Sequence, residues 1–188
     1  MSVENLAQFS RTIRQRSEEN QSAIALLHSA KLYSNAIAIL RFELDSMIRV
    51  IYLLSIQCES RRNSLIGQTN RGEKWTKENS EKRITDAEMV EVASNHCEWV
   101  RLVYKCGCAF VHLSNLHDWK TVDLMQLDLI EAEISQVDII LYINQYHNAD
   151  LNEGSNFETV MQYLVQIFVK IKVNLEGYLR KLEGNENL

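Results

Sequence analysis

Apolar residues recur three and four positions apart over most of this chain, the spacing that keeps side chains on one face of a helix. Near the start, Leu6, Phe9 and Ile13 share a face. Ile24 and Leu27, with His28 beside them, resume an apolar side after the polar stretch SEENQS, so residues 3–29 predict one helix or a helix pair. Residues 31–57 are apolar nearly all round, which predicts a central helix. Thr85 followed by Glu88 is a capping-box pattern and places a helix start at Asp86, with Met89, Val92 and Ala93 inward. That helix either breaks near residues 94–96 or runs on to Leu113. The stretch TVDLMQLDLIEAE reads equally as a short extended piece or a helix start. Residues 134–146 predict another helix, with Val137, Ile140, Leu141 and Ile143 on its apolar side. After the turn-forming HNADLNEGSN, residues 157–182 predict a strongly amphipathic last helix through Phe157, Val160, Met161, Leu164, Phe168, Ile171, Leu175, Tyr178 and Leu182.

No internal repeat and no convincing run of strands interrupts this pattern. The expected fold is all-α: a compact up-and-down helical bundle of about five to six helices, a single domain over residues 1–188. A polar, mobile connection is expected over 58–84, around Gly72, and a frayed tail over 183–188. The absence of proline and the presence of only six glycines strengthen the helical reading, because average usage would supply about nine prolines.

Charge and cysteine content narrow the function classes. The net charge of −5 hides an asymmetry: residues 59–83 hold seven basic and four acidic side chains, whereas 121–169 hold eight acidic ones and no lysine or arginine. Such faces suit self-association, or an acidic partner at the basic end. An acidic balance argues against tight non-specific nucleic-acid binding but leaves room for a local RNA site. The longest apolar runs fall far short of the roughly 20 residues that span a bilayer. The N-terminus lacks the apolar core of a signal peptide, so no membrane association and a cytoplasmic location are expected. Cys58, Cys97, Cys106 and Cys108 are then expected as reduced thiols.

Candidate chemistry converges on residues 98–119, EWVRLVYKCGCAFVHLSNLHDW. As a helix, this segment stacks Arg101, Lys105, Cys108 and His112 on one face, with Ser114, His117 and Asp118 following as a polar exit. In the preceding apolar helix, Arg41, Asp45 and Arg49 repeat every four residues as a charged ladder, which burial requires to be paired. Phosphate-loop, dinucleotide and serine-hydrolase motifs are absent, and no cofactor is implied. Cys106 and Cys108 point in different directions on a helix and no second cysteine pair completes a tetrahedral set, so no metal site is expected. Cys108 one turn before His112 is a nucleophile arrangement without an orienting third group. Metal-independent RNA cleavage fits the residue types better: a histidine able to exchange a proton near neutral pH, and cations to hold phosphate.

The order of these parts resembles the HEPN superfamily (higher eukaryotes and prokaryotes nucleotide-binding domains), compact helical domains of toxin–antitoxin, phage-defence and RNA-processing systems. The resemblance lies in RFELDSMIR (Arg41 to Arg49), a polar connection, and a helix ending YKCGCAFVHLS (Tyr104 to Ser114). The second part is similar to the family's motif of a basic residue, a polar residue and a later histidine. Here these would be Lys105, Cys106 and His112, and lysine does not offer the bidentate fork of arginine. The resemblance implies a homodimer that cleaves RNA without a metal, with His112 as acid or base, Lys105 and Arg49 on the phosphate, and Ser114 or Asp118 orienting the imidazole. Arg101, Arg41, Asp45 and His117 would complete the binding surface. The alternative it implies is a non-catalytic binding or sensor module for a partner protein or a nucleotide. An enzyme should leave Lys105 and His112 at an open cleft, and a module should bury His112 behind Trp119 and Tyr104.

Overall fold

The computed structural model describes residues 3–112, 115–126, 134–184 and 188. Its α-helices are α1 (Val3–Ser29), α2 (Tyr33–Ser55), α3 (Glu59–Asn70), α4 (Asp86–Ser94), α5 (Trp99–Val111), α6 (Gln136–His147), α7 (Phe157–Met161) and α8 (Leu164–Glu183). Short 3-10 turns occupy Asn115–Asp118 and Leu124–Gln126. No helix among the described residues is long and apolar enough to cross a membrane.

Helix α2 is the axis of the bundle, packed by α1, α3, α4, α5 and α8. Its Leu44, Met47, Val50, Ile51, Leu53 and Leu54 are wholly buried, as expected of a helix apolar nearly all round. Helix α1 is a single helix that crosses SEENQS without a break. Its buried stripe runs Leu6, Phe9, Ile13, Ser17, Asn20 and Ile24, with Ser10 buried beside it, so two polar residues, Ser17 and Asn20, fall on the stripe itself. They do so because Glu43 of α2 is buried opposite them: the Ser17 hydroxyl donates to its Oε1, and the Asn20 amide donates to Oε2 at 2.9 Å. A buried carboxylate without such donors would be costly.

Helices α1 and α8 run antiparallel, as three ties show. Arg14 pairs with Glu176 and Glu183, Lys172 with Glu18, and His28 Nε2 meets the Met161 carbonyl at 2.9 Å. The expected continuous last helix is broken. The Asn156 side chain caps α7 by accepting from the Thr159 amide at 2.9 Å, and the chain turns at Gln162 and Tyr163 before α8. The Thr85–Glu88 capping box forms as expected, and a second, Ser135–Asp138, starts α6. Val137 and Leu141 of α6, expected inward, are exposed, while Ile140, Tyr142 and Ile143 carry its contact with the core.

The polar stretch 58–84 holds two structured parts. After α3, residues 75–77 and 82–84 pair as a small hairpin, with Ile84 N donating to Trp75 O at 3.0 Å and Lys77 N to Lys82 O at 2.7 Å. Gly72, with φ of 72°, turns the chain into it. Trp75 is the anchor. Its ring is 3% exposed, its Nε1 donates to Thr69 Oγ1 at 2.8 Å, and the Arg61 guanidinium donates to the neighbouring Thr76 carbonyl.

Candidate functional site

Helix α5 buries Trp99, Val100, Val103 and Gly107 and ends at Val111, short of the expected reach to Leu113. His112 is the C-cap in extended conformation and is exposed, so the helical stripe through Arg101, Lys105 and Cys108 stops one residue short of it. Arg101 pairs with Glu91 at the surface, and Lys105 is half-buried and engaged. Ser114 lies outside the described residues. His117 and Asp118 are exposed on the 3-10 turn, with the His117 ring 6.1 Å from that of Phe110. Trp119 covers the bundle end against Tyr33 and Phe157, at 5.2 and 5.7 Å, and leaves His112 exposed, so the burial of His112 expected of a binding module does not occur.

Arg41 of the ladder meets α5. Its guanidinium lies over the Tyr104 ring at 3.7 Å, and Nη1 is 2.7 Å from Asp45 Oδ1. The aliphatic stem lies against the Gly107 backbone, where a side chain of any size would collide with it. Burial opposes the Arg41 charge, but Asp45 outweighs it and the pKa stays raised. The Tyr104 phenol is pushed up to about 12, chiefly by burial, with Arg41 pulling the other way. Arg41 is therefore a structural cation between two helices, held by an aromatic face and a carboxylate.

Arg49 goes elsewhere. It pairs with Asp86 at 3.6 Å and lies over the Trp75 ring at 5.2 Å. Gly107 lies beside Arg41, and Phe110 and Tyr33 share Phe157, so α5 runs antiparallel to α2. At 1.5 Å per residue, His112 and Arg49 are on the order of 20 Å apart along the helices. The ladder thus meets the α5 stripe through Arg41 and Cys108, and not through Arg49.

Arg49 instead lines a groove of about 690 Å³ between α1, α2 and the hairpin. Its cations come from three elements: Arg16 of α1, Arg49 of α2, and Lys74 and Arg83 on the two limbs of the connection. Only Arg49 faces a carboxylate partner; among the described residues Arg16, Lys74 and Arg83 form no ion pair. The other carboxylate there, Glu73, is held by both nitrogens of Arg71 at 2.8 and 2.7 Å. The groove has a positive excess although the chain is acidic. The sequence pattern does not reveal this assembly; the basic excess over 59–83 is its trace.

The four thiols sit in four environments. Cys58 is exposed, with a pKa lowered chiefly by the Ser60 hydroxyl. Cys97 Sγ is 3.1 Å from the Tyr178 hydroxyl. Cys106 lines a small apolar cavity of about 90 Å³, and burial pushes its thiol up to about 12. Cys108 lies beside Arg41. Among the described residues no three His, Cys, Asp or Glu side chains converge on a common point. Compared with protein-family models, curated proteins and solved structures, the chain finds no match.

Proposed function

We propose that this chain is a HEPN-like helical binding module that holds the phosphates of a nucleotide or an RNA, and that it does not cut them. The observation that carries the reading is the groove around Arg49, where four cations gather and three have no carboxylate partner. Acid–base cleavage needs the proton-transferring group within hydrogen-bond reach of the reacting phosphate, alongside the cations that stabilise it. In this chain His112 is at one end of α5 and the basic groove is at the far end of α2, which favours holding phosphate over cleaving it.

The test is anisotropy of a fluorescein-labelled RNA oligomer, with ATP as a second ligand, in EDTA, followed by electrophoresis of the same samples. The expected result is saturable binding of RNA or nucleotide with the RNA intact. RNA cut by the wild type and spared by His112→Ala would overturn the reading in favour of a ribonuclease. Absence of binding to either ligand would also overturn it.

A further inference from the structure

The walls of the Arg49 groove restrict the phosphate ligand further, given the reading of the chain as a phosphate-binding module. Its aromatic rings are spent on the fold. Phe9 and Trp75 are each 3% exposed, and Trp75 has Arg49 at 5.2 Å, Tyr52 at 6.0 Å and its indole nitrogen on Thr69. Neither lining ring is left for a base to stack on, and stacking is how single-stranded nucleic acids and free bases gain much of their affinity. The two lining carboxylates, the acceptors a ribose or a base would use, are occupied, Glu73 by Arg71 and Asp86 by Arg49. What remains is charge from three sides, with the exposed Thr12 hydroxyl between. The cavity of about 690 Å³ falls in the size range of small-ligand sites.

A triphosphate chain carries one charge on each of two inner phosphates and about two on the terminal one, close to the number of cations around the groove. We propose that the groove takes a triphosphate chain, free or at the end of a nucleotide, held by Arg16, Arg49, Lys74 and Arg83 with any base left outside.

Isothermal titration in EDTA at pH 7.5 would use sodium tripolyphosphate, ATP, GTP, AMP, adenosine and an RNA oligomer bearing a 5′ hydroxyl. The expected result is that tripolyphosphate, ATP and GTP bind within about threefold of one another, and that AMP and adenosine bind at least about thirtyfold more weakly. K74A and R83A, both exposed positions, should each weaken the three by about 5- to 20-fold, the scale of one charge-assisted contact. R11A, on an exposed face of α1 outside the groove, should leave them unchanged. Circular dichroism would establish that the variants fold. ATP binding that adenosine matches and tripolyphosphate does not displace would overturn the inference while leaving a binding module standing. The same holds for RNA binding indifferent to tripolyphosphate, and for triphosphate binding that K74A and R83A do not alter. No binding of RNA or any nucleotide would remove both.

Discussion

Gly107→Ala tests how α2 and α5 are locked. A Cβ at Gly107 would lie 2.8 Å from Arg41 Cδ, 3.0 Å from its Cβ and 3.2 Å from its Cγ. These atoms are the root of the side chain and not its mobile tip. Arg41 is also buried and stacked at 3.7 Å on Tyr104, so it has nowhere to retreat. Overpacking costs about 1–3 kcal/mol. Displacing the guanidinium from Tyr104 forfeits a desolvated cation–π contact of about 1–2 kcal/mol. Against this, alanine is a better helix former than glycine by about 1 kcal/mol. The net expectation is a loss of about 1–4 kcal/mol, and a mid-range 2 kcal/mol would lower Tm by about 4–8 °C. Urea unfolding should show a lower midpoint with an unchanged slope. Gly177→Ala is the internal control: nothing lies within 4 Å of the added carbon, so the same substitution in α8 should stabilise by about 0.5–1 kcal/mol. On an Arg41→Ala background, which removes the Cγ and Cδ contacts and leaves only the Cβ at 3.0 Å, the penalty at Gly107 should shrink to well under half. A Gly107→Ala variant as stable as the wild type would refute the lock.

Three other perturbations reach different parts of the fold. Glu43→Ala strands the Ser17 and Asn20 donors in the core and should cost at least about 2 kcal/mol in urea unfolding, with Glu43→Gln milder; equal stability of the alanine variant would contradict the buried triad. Iodoacetamide at pH 7.5, followed by peptide mass spectrometry, should modify exposed Cys58 first and half-buried Cys106 much more slowly, because desolvation pushes the Cys106 thiol up to about 12; labelling of Cys106 as fast as Cys58 would count against that shift. Glu176 and Glu183 have pKa values lowered chiefly by hydrogen bonds from Arg14. Their stabilisation is present above the ordinary carboxylate pKa of about 4.3 and lost as pH falls through the depressed folded value. Both carboxylates are about a third exposed, which keeps each pair to about 1 kcal/mol or less. Arg14→Gln should therefore flatten the fall of Tm between pH 5 and pH 3, and an unchanged profile would show that the α1–α8 pairs contribute nothing.

Most of the fold was legible because it rests on periodicity. The apolar stripes of α1, α2 and α8 and the Thr85 cap follow from local spacing or local hydrogen bonding, whereas the break after Ser94 is one of two readings that spacing leaves open. The misreadings share one cause. SEENQS looked like an interruption because Ser17 and Asn20 are polar, and only a carboxylate 23 to 26 residues away makes them core residues. Residues 157–182 looked continuous because an apolar stripe survives the two-residue turn at Gln162 and Tyr163. His112 looked like the last member of a helical stripe because spacing does not say where the helix stops.

The site was less legible because periodicity fixes the face of a residue and not the level at which a neighbour meets it. Arg41 and Arg49 share a face of α2 but sit about 12 Å apart along its axis. One therefore packs on α5 and the other on α4 and the hairpin. Charge counting fails in a related way, and pairing repairs it. Of the seven cations in residues 59–83, Arg61 is spent on the Thr76 carbonyl, Arg62 is buried, Arg71 is held by Glu73, and Lys77 by Glu88. Lys74, Lys82 and Arg83 are left without a carboxylate, and two of the three line the groove. The hairpin anchored by Trp75 brings them opposite Arg16 and Arg49, which come from helices far away in sequence. A modest basic excess in a linear stretch becomes a concentrated positive groove only once the paired charges are removed and the remaining ones are folded to one side.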